Sequence, residues 1–219
     1  MKRFFIAVAL IVLIAGGNRM AGAQTEEAKK FEVGAQFTSL SIREGFNPRT
    51  EPGVGGRFTY NLTDFLALEA EGNFFVRSDF SNAFRTGGRA VEGLAGVKIG
   101  KRYKTFGIFG KVRPGLISFS QGAVDYTLVN TTPGASFPIE VRTRRLTHFA
   151  ADIGAVLEFY PSRRIVTRID AGDTIIHFGD MTVNSFTLIA PGTFAPFRFS
   201  FPSDTSHNFQ FSAGVGFRF

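Results

Sequence analysis

Apolar and polar residues alternate with period two, in segments of roughly ten residues from position 31 to the final Phe219, and this constrains the chain more than any other feature. In an extended chain successive side chains point to opposite faces, so each segment predicts a strand with one apolar and one polar face. Eight such segments are legible. In the first, 31–42, Phe31, Val33, Ala35 and Phe37 oppose Glu32, Gly34, Gln36 and Thr38. In the second, 54–62, Val54, Phe58, Tyr60 and Leu62 oppose Arg57, Thr59 and Asn61. The third, 65–77, sets Leu66, Leu68, Ala70, Phe74 and Val76 against Glu69, Glu71, Asn73 and Arg77. In the fourth, 89–100, Val91, Ala95, Val97 and Ile99 face away from Glu92 and Lys98, and in the fifth, 105–119, Phe106, Ile108 and Val112 face away from Lys111 and Arg113. The sixth, 147–160, opposes Phe149, Ala151, Ile153, Leu157 and Phe159 to His148, Asp152 and Glu158. The seventh, 165–177, opposes Ile165, Ile169, Ala171 and Ile175 to Arg168, Asp170 and Thr174. The eighth, 207–219, is the clearest: Phe209, Phe211, Ala213, Val215, Phe217 and Phe219 against Asn208, Gln210, Ser212, Gly214, Gly216 and Arg218.

A β-sandwich also alternates, but its polar faces meet bulk water and its apolar faces share one core. Connection lengths separate the two cases. Short connections at 63–64, 101–104 and 161–164 alternate with long ones at 43–53, 78–88, 120–146 and 178–206. Short turns on one side and longer loops on the other belong to a transmembrane barrel, and an even strand count puts both termini on the short-turn side. Phe residues at 182–201 admit two readings: a hairpin prolonging the last two strands beyond the membrane, or two further strands giving ten in all.

The N-terminal segment supplies a route to a membrane. Residues 1–23 carry Lys2 and Arg3, an apolar run from Phe4 to Ala15, and small residues Ala21 and Ala23 before Gln24, the order of a secretory signal peptide. An uncleaved anchor is the alternative, since Arg19 precedes the cut, but the run falls short of the ~20 residues of a membrane-spanning helix. The mature domain is therefore expected at 24–219. Of 25 basic residues the signal takes three, Lys2, Arg3 and Arg19, leaving 22 against 18 acidic ones and a net charge of +4 in place of +7, which weakens any nucleic-acid reading. In hydrocarbon every backbone amide must be paired, so a chain without a later apolar helix crosses only as a closed barrel. The fold expected is all-β, an eight-stranded antiparallel up-and-down transmembrane β-barrel in the bacterial outer membrane of a Gram-negative cell. Mean hydropathy near zero, +0.07, is then the average of two opposed faces.

The terminal run SAGVGFRF resembles the C-terminal assembly signal of bacterial outer-membrane proteins, matched by Ser212, Gly214, Phe217 and Phe219. That resemblance implies recognition by the barrel-assembly machinery and passage with periplasmic chaperones. GRFTYNLTDFLALEAEGNFF, GVKIGKRYKTFGIFGKVRPG and LEFYPSRRIVTRIDAGDTII are similar to the OmpA-like β-barrel family over essentially the whole mature chain. The chain departs from full-length OmpA by ending at its eighth strand, so a peptidoglycan-binding role is not carried over.

An eight-stranded barrel is just wide enough for side chains to fill. Placing the polar parity inside puts acids Glu32, Glu69, Glu71, Glu92, Asp152, Glu158 and Asp170 with bases Arg57, Lys98, Lys111, Arg113, Arg168 and Arg218 in that space. Such charges are costly unless paired, so the near balance predicts a lumen plugged by ion pairs; a narrow ion path gated by rearranged pairs is the alternative. Tyr60, Tyr103, Tyr126 and Tyr160 are the residues available as interface anchors, three of them at short turns. No catalytic, cofactor or metal site is expected. With no Cys there is no thiolate site, and of the three His, His148 is expected inside as a carboxylate partner, His177 at the rim, and His207 after Ser206 without an orienting triad. Glu69 and Glu71 read more simply as salt-bridge partners than as an acid-base pair. The Gly-rich pieces lack phosphate-loop spacing.

The expected function is envelope structure or surface interaction by a non-enzymatic monomer, in contact with outer-membrane lipid and with a surface ligand at loops 120–146 and 178–206. The first of these carries Arg142, Arg144 and Arg145, suited to anionic headgroups, and the second Phe186, Phe194, Phe197, Phe199 and Phe201. A small diffusion pore and a lipid-modifying enzyme using His148 or His207 remain as alternatives.

Overall fold

Alternation becomes ten antiparallel strands in the computed structural model, which describes residues 29–44, 47–76, 85–128, 139–190 and 193–219. They are β1 (Phe31–Glu44), β2 (Asn47–Asn61), β3 (Leu66–Phe75), β4 (Ala90–Arg102), β5 (Phe106–Leu128), β6 (Ile139–Phe159), β7 (Ile165–Phe178), β8 (Met181–Ala190), β9 (Thr193–Phe201) and β10 (Asp204–Arg218). The signal peptide at 1–23 lies outside the described residues. Eight strands close in the order β1-β10-β7-β6-β5-β4-β3-β2, and β8 and β9 form a separate two-stranded sheet. The barrel therefore has eight strands, with neighbours in sequence adjacent in space apart from the inserted hairpin.

Two short turns are set by hydroxyls. Thr63 Oγ1 accepts from Leu66 N at 3.0 Å, and Ser162 Oγ accepts from Ile165 N at 3.1 Å, each replacing a ladder bond where the chain reverses. Chain ends meet at the closing seam: Phe219 N donates to Phe31 O at 2.9 Å and Phe31 N to Phe219 O at 3.1 Å, with the two rings stacked at 5.8 Å.

The long connections are more ordered than loops. Pairing of β1 with β2 runs on to Glu44↔Asn47, so most of the expected 43–53 loop is strand. Likewise β5 and β6 zip up to Leu128↔Ile139 through a bulge between Phe119 and Ala123, leaving only 129–138 of the expected 120–146 loop outside the described residues. Main-chain hydrogen bonding, available whenever two strands leave a barrel side by side, extends the ladder past the alternating segments. The β8–β9 hairpin does not prolong its flanking strands. β7 and β10 pair with each other up to Phe178↔Asp204, and Asp180 Oδ1 accepts from Ser203 N at 2.6 Å at the base of the insertion. Met181 and Val183 then pack against Tyr126, Leu146 and Phe201, laying the hairpin on the β5–β6 extension.

The apolar parity faces outward. Phe37, Val54, Phe74, Val91, Leu116, Phe149, Phe209, Val215 and Phe217 are exposed around the whole circumference, Phe37 at 77%. A water-facing monomer does not expose a contiguous apolar belt of this kind. Among the described residues no helix is long and apolar enough to cross a membrane.

Candidate functional site

The interior parity is polar over the lower and middle barrel, and its charges are partnered in tiers. At the short-turn end Glu32 accepts from Arg57 Nη2 at 3.0 Å and from Arg218 Nε at 3.1 Å, while Arg218 Nη2 reaches Glu158 Oε2 at 3.0 Å. Tyr160 turns in beneath them, its hydroxyl donating to Glu158 Oε2 at 2.9 Å and accepting from Arg102 Nε at 3.2 Å, with the Arg218 guanidinium 4.2 Å over its ring. Burial, and then the Glu158 carboxylate, push its phenol up to about 12. Tyr160 is thus a lumen residue and not an interface anchor, and Tyr126 packs under the β8–β9 hairpin; Tyr103 stays exposed.

In the middle tier Lys98 joins Glu158 and, at 3.2 Å, Glu69. Arg168 donates to both oxygens of Glu69, at 2.5 and 3.0 Å, and to Asp170 at 2.6 Å. Lys111 joins Asp152 at 2.7 Å and Asp170, and Arg113 joins Glu71 and, at 2.5 Å, Asp152. These side chains are all buried. Each of these fixed charges has an opposite one within reach, on its own strand, a neighbouring strand or the facing wall, the condition under which ions can occupy so narrow a space.

Above them lies a tier of amides and hydroxyls. Asn73 Nδ2 donates to Glu71 and to Glu92, both at 2.8 Å, and Gln210 Nε2 donates to Glu92 at 3.1 Å. Gln36, Thr174, Thr38 and Ser212 complete the tier. Among the described residues Glu92 has only amides as partners and its second oxygen has none, which leaves it an interior acid without a cation.

The upper interior was not anticipated from sequence. Leu40, Ile42, Phe75, Ala90, Ile117, Phe119, Ala150, Ile176 and Phe178 pack together inside the barrel toward the long-loop end. His148 belongs here: its ring lies 4.7 Å from that of Phe178 and 6.1 Å from that of Phe119, and among the described residues its Nε2 has no hydrogen-bond partner. It is inside as expected but not beside a carboxylate, because the interior at its level is apolar. A signal existed in apolar doublets, Phe74–Phe75, Ala90–Val91, Leu116–Ile117, Phe149–Ala150 and Ile175–Ile176, which give one apolar residue to each face.

Outside, His207 Nδ1 bonds Asp173 Oδ2 at 2.6 Å, both exposed, and His177 Nδ1 bonds Thr205 Oγ1 at 3.1 Å. His207 does have an orienting carboxylate, 34 residues away in sequence and invisible to local inspection. No hydrogen bond joins His207 to a hydroxyl among the described residues, and Ser206 Oγ accepts from Asn208 Nδ2 at 2.8 Å. Nor is there a cluster of metal-ligating side chains among them.

Ser212, of the terminal motif, faces inward and donates to Thr38 at 2.9 Å, whereas Phe217 and Phe219 face outward beside each other. Gly214 sits in the closing seam, where a Cβ would lie 2.3 Å from Ala35 O. On β8–β9, Phe197 and Phe199 are exposed and meet edge to face at 4.5 Å, but Phe201 turns toward Met181 and Val183. The side chain of Phe194 lies outside the described residues.

No family model matches the chain. No curated protein matches its sequence. Among solved structures it is similar to Neisserial surface protein A, NspA, with a TM-score of 0.51 and 12% identity over 86% of this chain and 97% of that one. It is similar also to Ail, the attachment invasion locus protein of Yersinia pestis, in complex with the heparin analogue sucrose octasulfate, with a TM-score of 0.48 and 12% identity over 87% and 99% of the two chains. The N-terminal β-barrel domain of Pseudomonas aeruginosa OprF gives 0.42 and 15% identity over 89% and 100%. From its closed ring of eight antiparallel strands and its overlap with NspA, the chain has the fold of the eight-stranded outer-membrane β-barrel proteins.

Proposed function

We propose that this protein is an integral outer-membrane barrel that does not conduct, serving the envelope as a structural element and presenting its long-loop end for surface interaction. The observation that carries the reading is an inside-out distribution of polarity: an apolar belt outside, and within it a lumen filled by ion pairs below and by an apolar plug above. A soluble protein places these the other way round, and a pore needs a continuous polar path, which the plug interrupts. Residues 24–219 are the mature barrel, released from a signal peptide at 1–23 and assembled as a monomer. Ser212, Gly214, Phe217 and Phe219 serve as the signal for the assembly machinery, and periplasmic chaperones escort the chain there. No catalytic role is assigned to His207 and Asp173.

Membrane fractionation with comparison of boiled and unboiled samples on a gel tests the proposal. The protein is expected in the outer-membrane fraction with a mobility that shifts on boiling. A soluble product without a shift would refute it. Altered outer-membrane lipid on overexpression, lost in His207→Ala, would instead favour a lipid-modifying enzyme.

A further inference from the structure

We infer that the outer face of β3 to β6 carries a binding site for a phosphorylated glycolipid of the outer leaflet, an inference that rests on the membrane-barrel reading above. A groove of about 720 Å³ opens there, with Phe74, Val76 and Val91 along one side and Arg89 and Arg145 among its walls. Its position follows from the register. Val91 pairs with Ser118 and Ser118 with Thr147, one outward step beyond Leu116 and Phe149, so the groove straddles the line where the apolar belt gives way to hydroxyls. That line is where headgroup meets acyl chain in a bilayer.

The β5 bulge between Phe119 and Ala123 shapes the groove by displacing the β5–β6 extension from the ladder below. Gly88 shapes it from the other side, with φ at +76° and so tight against β5 that a Cβ would lie 2.3 Å from Ser120 Oγ. Ser120 Oγ in turn accepts from Arg89 N at 2.8 Å, fixing the backbone from which that guanidinium projects. Neither Arg89 nor Arg145 has a carboxylate partner among the described residues, in contrast with the arginines of the lumen. Two cations without a carboxylate partner among the described residues, set beside an apolar wall, match a ligand with anionic groups attached to acyl chains. Ser118, Gln121 and Thr143, which also line the groove, supply donors and acceptors suited to sugar hydroxyls, which favours a phosphorylated saccharide headgroup.

The test uses the full chain folded in detergent micelles, with the boiling-dependent mobility shift recorded for every sample. Lipid A, its dephosphorylated form and inorganic phosphate are titrated separately, and bound lipid is read by native mass spectrometry. One equivalent of lipid A is expected to bind, with roughly tenfold or greater weakening on loss of its phosphates and in Arg89→Gln/Arg145→Gln, as for lost charge-assisted hydrogen bonds. Arg43→Gln, on β1 away from the groove, should bind as the parent does. Equal affinity for the dephosphorylated lipid, unchanged binding by the double variant, or free phosphate binding as tightly as lipid A would overturn the site. Absence of the mobility shift in the parent protein would overturn the barrel reading itself, a separately visible failure.

Discussion

Glu69 of β3 and Arg168 of β7 lie on opposite walls of the barrel, four strands apart in either direction round the ring, and meet through two hydrogen bonds at 2.5 and 3.0 Å. The pair is a bolt across the lumen. Glu92 of β4 and Gln210 of β10 are likewise four strands apart and meet at 3.1 Å. Interior polar groups therefore join strands that share no ladder, holding the cross-section filled.

Removing one end of the bolt leaves its partner charged and buried. Arg168→Met is expected to lower stability in urea unfolding from lipid by about 3–5 kcal/mol, the range for breaking a buried ion pair from one side. Glu69→Gln should be comparably costly, as it strips a partner from Lys98 as well. The double variant should lose less than the sum of the two, and strict additivity would show that the pair does not act as a unit.

Glu92 should behave differently from every other interior acid. It has no cation among the described residues, so Glu92→Gln removes a surplus charge and leaves none of their bases unpaired. Stability is expected to hold or rise, whereas Asp152→Asn, which takes a partner from both Lys111 and Arg113, should cost about 3–5 kcal/mol. A loss from Glu92→Gln as large as that from Asp152→Asn would contradict this assignment.

The strand set and the two faces of the lower barrel were legible because lipid outside and charge inside impose opposite chemistry at every step. Glu32, Arg57, Glu158 and Arg218 alternate with Val33, Phe58, Phe159 and Phe217 for that reason. Legibility fails toward the long-loop end, where both faces are apolar and period two loses contrast. In β1 the apolar parity itself changes, from Phe37 outside to Leu40 and Ile42 inside. Pairings between strands were also out of reach: Asp173 with His207 depends on the register of two adjacent strands and Glu69 with Arg168 on closure of the ring, neither of which local spacing encodes.

Two substitutions separate the structural demand on the terminal motif from the recognition role proposed for it. Gly214→Val would press a side chain on Ala35 O in the closing seam, so it should impair folding of purified protein into micelles as well as in cells. Phe219→Ala keeps the backbone pairing with Phe31 and should fold in micelles yet accumulate poorly in the outer membrane of cells. Normal accumulation of Phe219→Ala would remove the assembly role from that residue.

Tyr160 links the lower tier to alkaline pH. Its phenol ionises at about 12 when folded and near 10 when unfolded, so the folded state holds the proton more tightly. This contribution is fully present below the unfolded value and is lost as pH rises toward 12. With four Tyr and no Trp, tyrosinate absorbance should show one late-titrating group that disappears in Tyr160→Phe. An unchanged titration in that variant would place the late phenol elsewhere.

Closure of the lumen, by ion pairs below and by the Phe75, Phe119 and Ile176 plug above, is the central claim. Planar-bilayer recording with the folded full chain tests it most directly. The expected record is a flat baseline from protein whose insertion is verified by its boiling-dependent mobility, and reproducible stepwise conductance from that same protein would contradict the closed interior.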